Sequence, residues 1–214
     1  MDWPTSQKES QKWFNALAAV NQQAQGSDKR WVVTCDRESD IFEFFKAERE
    51  SNVDLLVRVF QPRRVEVATA GVVCSLPTVA SHLDDYGHYC VHIERQVEGQ
   101  RRTVELTLHL QAATVHIYPN QDLSPARHKT QPLSLVVATE VACLDVQSQA
   151  DCFDAENALS WFLLTSLPIA DRNDGQRIVR FYALRWRIER LHFTLKSGAL
   201  NVEKRQFDDV HTLS

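Results

Sequence analysis

The 214 residues are enough for a full buried core, and 43% hydrophobic with 24% charged residues is typical of a globular protein. The net charge of −4 excludes an overall positive field for nucleic acid, so any such surface must be local. Five cysteines without CxxC spacing favour reduced thiols, and no segment has the pattern of a signal peptide or a membrane span. These features predict a soluble, cytoplasmic protein.

The first part of the chain predicts alternating helices and strands. Apolar residues recur with helical spacing over two segments, and two short continuous apolar runs are typical of strands buried on both faces. In chain order these are helix 8–23, strand 29–35, helix 41–49 and strand 53–60. The pattern predicts an α/β fold with buried parallel strands.

Asp36 lies directly after the first of these strands. Ligands of open α/β sheets bind outside the carboxyl ends of the strands, so a carboxylate there is well placed for catalysis. The alternative is that Asp36 fills a turn. Asp40, a few residues later, is better read as a helix cap.

From about residue 65 to 146 the pattern changes to short alternating strands. The predicted strands are 86–97, 101–110, 114–118 and 133–144, and a strand over 158–166 returns the chain to the α/β sheet. Three histidines and two aspartates within 82–92 suggest zinc, but their gaps fit no common zinc pattern. A turn is therefore the preferred interpretation of that segment.

The segment 171–176 predicts a turn, and the stretch 181–196 after it predicts a helix with two distinct faces. Its polar residues lie within about 60° of one another on a helix, and they are Tyr182, Arg185, Glu189 and Lys196. A separate apolar arc, expected to pack on a core, holds Phe181, Leu184, Ile188, Leu191 and Leu195. A lone carboxylate among cations suits a metal ligand beside groups that hold phosphates. The alternative is an amphipathic helix whose polar face is merely solvated.

Two motifs of this chain resemble those of one family. Tyr182-x2-Arg185-x3-Glu189-x6-Lys196 is similar to the Y-(2)-R-(3)-E-(6)-K signature of bacterial DDE transposases of the insertion-sequence-four group. The segment C-D-R-E-S-D at 35–40 resembles the family's C-D-R-E-A-D, whose first aspartate binds metal. The resemblance thus assigns Asp36 and Glu189 as catalytic, metal-binding acids.

The resemblance also implies residues that contact DNA. Tyr182, Arg185 and Lys196 would hold phosphates, and Arg58 and Arg63 resemble basic positions that contact DNA. The motif W-x-L-L-T-S-x-P places Trp161 where the family stacks an aromatic ring against a flipped base. Without the family, Trp161 reads as a core residue.

The family's fold is RNase H-like with a β-strand insertion between the second and third acids. The resemblance therefore implies a catalytic core over 1–64 and 156–214, and an inserted β-rich block over 65–155. It implies Mg²⁺, or Mn²⁺ in its place, as cofactor, and double-stranded DNA of transposon ends and target as partner. Full-length relatives are homodimers, and the implied location is bacterial, at the nucleoid.

The family pattern begins before residue 1, with the strand that carries its first catalytic aspartate, and continues beyond residue 214. We therefore expect an incomplete RNase H-like fold with impaired activity, weak metal binding and an open edge on strand 31–35. One alternative is a non-catalytic DNA-binding or regulatory remnant. Another is a small metal-dependent nuclease that takes its missing acid from Glu38 or Asp40.

Overall fold

The computed structural model describes most of the chain. The described residues are 10–97, 100–119, 129–142 and 158–185, together with 187, 188, 191 and 194. The strands are β1 (Trp31–Cys35), β2 (Val53–Val59), β3 (Arg64–Val67), β4 (Val72–Ser75), β5 (Asp84–Val97), β6 (Gln100–Ile117), β7 (Leu133–Glu140) and β8 (Ser160–Thr165). The helices are α1 (Gln11–Ala24), α2 (Phe42–Lys46) and α3 (Arg172–Leu184), with short 3-10 helices over Arg37–Ser39 and Leu76–His82.

All the described strands join one sheet. Its order is β1-β2-β8-β7-β6-β3-β4, and β5 also pairs with β6. Strands β1 and β2 run parallel, whereas the other described pairs are antiparallel. The α/β class is thus confirmed, as a mixed and mostly antiparallel sheet. Strand β8 lies between β2 and β7, as expected of a segment that returns to the sheet.

Strand β2 is a continuous apolar run because both of its faces are covered. Leu55 and Val57 pack in one core with Phe44 of α2. Leu56 packs in a second core, on the other face of the sheet, with Ile178 of α3. Because each face of β2 packs against a core, most residues on both faces are apolar. The sheet therefore separates α1 and α2 from α3.

The end of α1 is joined to the start of β2 by one side chain. Gly26 has φ +72°, a left-handed conformation that glycine adopts without strain and that ends the helix. The side-chain amide of Asn52 donates to the carbonyls of Ala24, Ser27 and Lys29, at 3.0 to 3.1 Å. These bonds hold the turn between α1 and β1 against the start of β2.

Two predicted strands of the β-rich block are one strand. The segments 101–110 and 114–118 both belong to β6, which is continuous from Gln100 to Ile117. Strand β7 pairs along β6 from Leu108 to Val115, across the predicted break. The prediction of a break was wrong because Ala112 and Ala113 are weak strand formers whose position is decided by pairing on both sides.

Helix α3 begins earlier than the sequence suggests. The segment 171–176 was expected to be a turn, but the helix starts at Arg172 and Asp171 caps it, its side chain accepting from the Asp174 amide at 3.0 Å. Gly175 lies within the helix and is buried. A Cβ there would lie 3.3 Å from the Tyr86 ring, so the glycine allows close packing against β5.

The β-rich block shares its sheet with the rest of the protein. Strand β7 pairs with β8 from Ser134 to Thr139, so the sheet has no break between the predicted core and the predicted insertion. The division into those two parts stays a prediction. In the described part β1 pairs with β2 alone, which confirms the expected open edge. No described helix has the length and hydropathy needed to cross a membrane.

Candidate functional site

Asp36 is held at the carboxyl end of β1 by a tight turn. It caps the 3-10 helix Arg37–Ser39, and its Oδ1 accepts the amide of Arg37 at 2.8 Å. The amide and hydroxyl of Ser39, which is fully buried, donate to the Asp36 carbonyl at 3.0 and 2.7 Å. These bonds fix the backbone, while the side chain of Asp36 remains about one-third exposed (35%).

Two residues of the predicted signature meet this carboxylate from the other end of the sequence. The Tyr182 hydroxyl lies 3.3 Å from Asp36 Oδ1, across a sequence separation of 146 residues. Arg185 Nη2 lies 3.4 Å from Asp36 Oδ2. Tyr182 belongs to α3 and Arg185 follows it with a helical backbone, so their spacing of three places both on one helix face. The structure thus brings together Asp36, Tyr182 and Arg185.

The site favours a negative charge on Asp36. Burial, the largest single influence, opposes ionisation, but the Arg37 amide, the guanidiniums of Arg185 and Arg58, and the Tyr182 hydroxyl together lower the pKa of Asp36 below its ordinary value. The pKa of Tyr182 is raised, mainly by burial and then by the nearby Asp36 carboxylate. The site therefore presents an ionised carboxylate beside a neutral phenol and guanidinium groups.

The described part of the signature helix differs from the predicted division into an apolar packed face and a polar solvated face. Tyr182, expected on a solvated face, is buried, because its ring packs edge-to-face on Trp161 with centroids 5.0 Å apart. Of the apolar arc, Phe181 packs against the core beneath α3 as predicted, whereas Leu184, Ile188 and Leu191 are 41%, 54% and 58% exposed. Leu184 and Ile188, with Phe181 and Val32, line an open groove of about 460 Å³ beside β1.

Trp161 and Arg63 do not lie where a DNA contact would need them. Trp161 is 2% exposed and belongs to the core beneath α3, which agrees with its alternative interpretation. Arg63 was expected to face DNA, but its side chain is 1% exposed and forms an ion pair with fully buried Asp40. An arginine after a strand can turn inward when a buried carboxylate neutralises it, and Arg63 does so.

Neither acid proposed as a substitute ligand is available at the site. Asp40 was expected to cap α2, but it is buried and its Oδ2 accepts the amides of Phe60 and Gln61 at 2.8 and 2.9 Å. Glu38 points to solvent, where its Oε2 lies 2.6 Å from Lys12 Nζ. Within the described residues, Asp36 is therefore the acid that Tyr182 and Arg185 contact.

The described residues contain no group of three or more histidines, cysteines or acids placed to hold a metal ion. This includes the segment 82–92, where Asp85 instead bonds the ring of His109 at 3.1 Å. Asp36, ionised and partly exposed, fits one position of a hard cation that prefers carboxylate oxygen. Glu189 and Lys196 lie outside the described residues.

Two residues at the site were not singled out by sequence reasoning. The guanidinium of Arg37 lies over the ring of Phe60, 5.2 Å from its centroid. Phe60 follows β2 directly and is 69% exposed. The available signal was position alone, since Arg37 is next to Asp36 and Phe60 is two residues after Arg58.

The fold and the site define a mixed α/β protein with a guanidinium-lined carboxylate at the carboxyl end of its parallel strand pair. No protein-family model matches the sequence.

Proposed function

We propose that this chain is a catalytic-core segment of a DNA transposase of the DDE type, similar to the insertion-sequence-four group. The observation that carries the proposal is the contact of Tyr182 and Arg185 with Asp36. The two sequence motifs lie far apart in the chain and share no residues. If they have a common function, residues of both must meet at one site. An amphipathic helix without such a function is not expected to place two of its polar residues against Asp36.

The proposed core is RNase H-like. Supporting features are the parallel pair β1 and β2, an adjoining antiparallel strand, and helices on both faces of the sheet. The β-rich block would be the family's insertion, which here extends the same sheet. In this proposal the partners are double-stranded transposon-end and target DNA.

The described residues would bind the DNA backbone. Arg185 and Arg58 lie close enough to Asp36 to influence its ionisation, so a phosphate at the same place would meet two guanidinium groups. Tyr182 would hold Arg185 and Asp36 in position, since its ring is fixed against Trp161. Together these groups would orient a phosphodiester beside the Asp36 carboxylate.

Magnesium, or manganese in its place, would be held by Asp36 and, in the proposal, by Glu189. A bound divalent ion supplies Lewis-acid activation of a phosphodiester and of the attacking oxygen. The contribution of the protein is a carboxylate that stays ionised across the neutral pH range, because its pKa is lowered.

A second candidate function is DNA binding without cleavage. It is favoured by the composition of the described site, in which one carboxylate, Asp36, lies near the guanidinium groups of Arg58 and Arg185 and accepts the backbone amide of Arg37. Such a site suits a phosphate backbone whether or not a metal is bound.

Fluorescence anisotropy with a labelled DNA duplex tests the DNA-binding part of the proposal. Replacement of Arg185 by Ala is expected to reduce the slope of log affinity against log salt by about 0.9 for one lost phosphate contact. Arg177→Ala is the matched control, because Arg177 lies on the same helix but is paired with Asp174 at 2.8 Å. Equal effects of the two substitutions, or no salt-dependent binding by the wild type, would overturn the proposal.

A nicking assay on supercoiled plasmid with Mg²⁺ separates the two functions. Cleavage by the wild type that Asp36→Asn abolishes supports the transposase-type chemistry. Salt-dependent binding by both proteins without any cleavage supports the second function instead. Cleavage that Asp36→Asn leaves unchanged would show that Asp36 is not catalytic.

A further inference from the structure

Phe60 is an exposed aromatic residue at the edge of the proposed DNA site. Within the described residues the strongly exposed large apolar side chains are Phe60, Val73, Leu184, Ile188 and Leu191, and Phe60 is the aromatic one. A single exposed apolar side chain is ordinary in proteins and needs no functional explanation. Its fixed backbone and its neighbours are what distinguish Phe60.

The backbone of Phe60 is held rigidly although the ring lies in solvent. Its amide donates to Asp40 Oδ2 at 2.8 Å, and the next amide, of Gln61, donates to the same oxygen at 2.9 Å. Asp40 itself is fully buried and paired with Arg63. A ring on such a support loses little conformational entropy when it binds a partner.

The ring of Phe60 packs against one cationic side chain next to the site. The guanidinium of Arg37 is 5.2 Å from the ring centroid, within the range of a cation–π contact. The amide of the same Arg37 bonds to Asp36, so ring and carboxylate are joined through one residue. Arg58, near the end of β2 and two residues before Phe60, also lowers the pKa of Asp36. A nucleotide whose phosphate meets these arginines would have its base within reach of an aromatic surface.

We propose that Phe60 stacks on an unpaired nucleobase of the DNA strand whose phosphates Arg58 and Arg185 bind. This inference rests on the proposed DNA-binding function and adds a preference for DNA with an unpaired base. A nucleobase is the favoured occupant over an apolar protein surface, because stacking surfaces beside cationic side chains are the common design of sites for single-stranded nucleic acid. Trp161, which the sequence suggested for such a role, is buried.

The test compares two labelled DNA probes, a duplex with one unpaired thymine and the same duplex fully paired. Phe60→Ala is expected to weaken binding of the unpaired probe by about 5- to 150-fold, the range measured for loss of one base–aromatic stack. Its affinity for the paired probe should stay unchanged. Phe60→Trp keeps an aromatic ring and should keep the preference. Val73→Ala is the matched control, since Val73 is 52% exposed and lies on β4, which four strands separate from β2 in the order of the sheet.

The outcomes separate this inference from the proposed function. If the wild type binds both probes with an Arg185-dependent salt slope and Phe60→Ala has no selective effect, the inference fails alone. An equal loss on both probes, or no preference of the wild type for the unpaired probe, also refutes it. If the wild type binds neither probe, the proposed function fails and the inference with it. Thermal unfolding of each variant checks that the exposed substitution leaves the fold intact.

Discussion

The buried ion pair of Asp40 and Arg63 allows a sharp test of how the site is supported. The side chains are 0% and 1% exposed, and Arg63 Nη2 also donates to the Asp40 carbonyl at 3.0 Å. The substitution Asp40→Asn keeps an oxygen for the amides of Phe60 and Gln61 but removes the negative charge. It therefore leaves a buried guanidinium without its paired carboxylate.

The expected cost follows from that burial. Breaking a buried ion pair by removing one partner typically destabilises a protein by about 3–5 kcal/mol. For a chain of this length, that loss corresponds to a fall in melting temperature of roughly 6–20 °C. Burial also lowers the pKa of Arg63 against the opposing influence of Asp40, so removal of the carboxylate should lower that pKa further.

A double-mutant cycle measured by urea unfolding isolates the pair. The double variant Asp40→Asn, Arg63→Met carries no buried charge, and the coupling between the two positions should be about 2–3 kcal/mol. The control cycle uses Lys12 and Glu38, whose side chains are 56% and 69% exposed, and should give at most about 1 kcal/mol. A loss below about 1 kcal/mol for Asp40→Asn would refute the reasoning.

Three further predictions concern groups around the site. Because the folded pKa of Asp36 is lowered from 3.8, its stabilising contribution is present above that pH and is lost as pH falls through the folded pKa. The stability difference between the wild type and Asp36→Asn should therefore narrow in acid, as urea titrations at several pH values would show, and a constant difference would contradict this. Trp161→Ala should cost about 3–5 kcal/mol in thermal unfolding, because it removes a buried indole, and a cost near zero would place the ring outside the core. Burial raises the pKa of Cys35 to about 11, so maleimide at neutral pH should label exposed Cys90 and spare Cys35, read by peptide mass spectrometry. Equal labelling of both would contradict the burial of Cys35.

The parts of the fold that could be predicted are those that local pattern determines. Strands β2 and β8 are predominantly apolar, and the burial of most of their residues follows from that composition. Strand β1 is similarly apolar, but of its five residues Cys35 alone is buried. The position of Asp36 at a strand end also followed from the sequence, because polar residues directly after a buried strand must lie at its edge. The order of these strands in the sheet agrees with the α/β class but required the structure to establish it.

The parts that could not be predicted depend on contacts distant in sequence. A helix with two possible faces can pack by either, and Tyr182 faces the sheet because Trp161 and Asp36 lie opposite it. Arg63 is buried because it pairs with the buried carboxylate of Asp40. Asp40 is distant in sequence, so no local pattern around Arg63 predicts the pair. The helical position of Gly175 could not be predicted either, because its packing partner, Tyr86 of β5, is distant in sequence.

The separation of 146 residues between Asp36 and Tyr182 has a consequence for the order in which the protein assembles. Strand β2 can pair with β1 early during synthesis. Its pairing with β8 is possible only after the residues between them have been synthesised, and α3 is synthesised after β8. Closing so long a loop is slow, and until then one face of the early strands lacks its cover. We therefore expect refolding to show a late phase in which Tyr182 becomes buried, and in a cell this phase would follow the emergence of α3 from the ribosome.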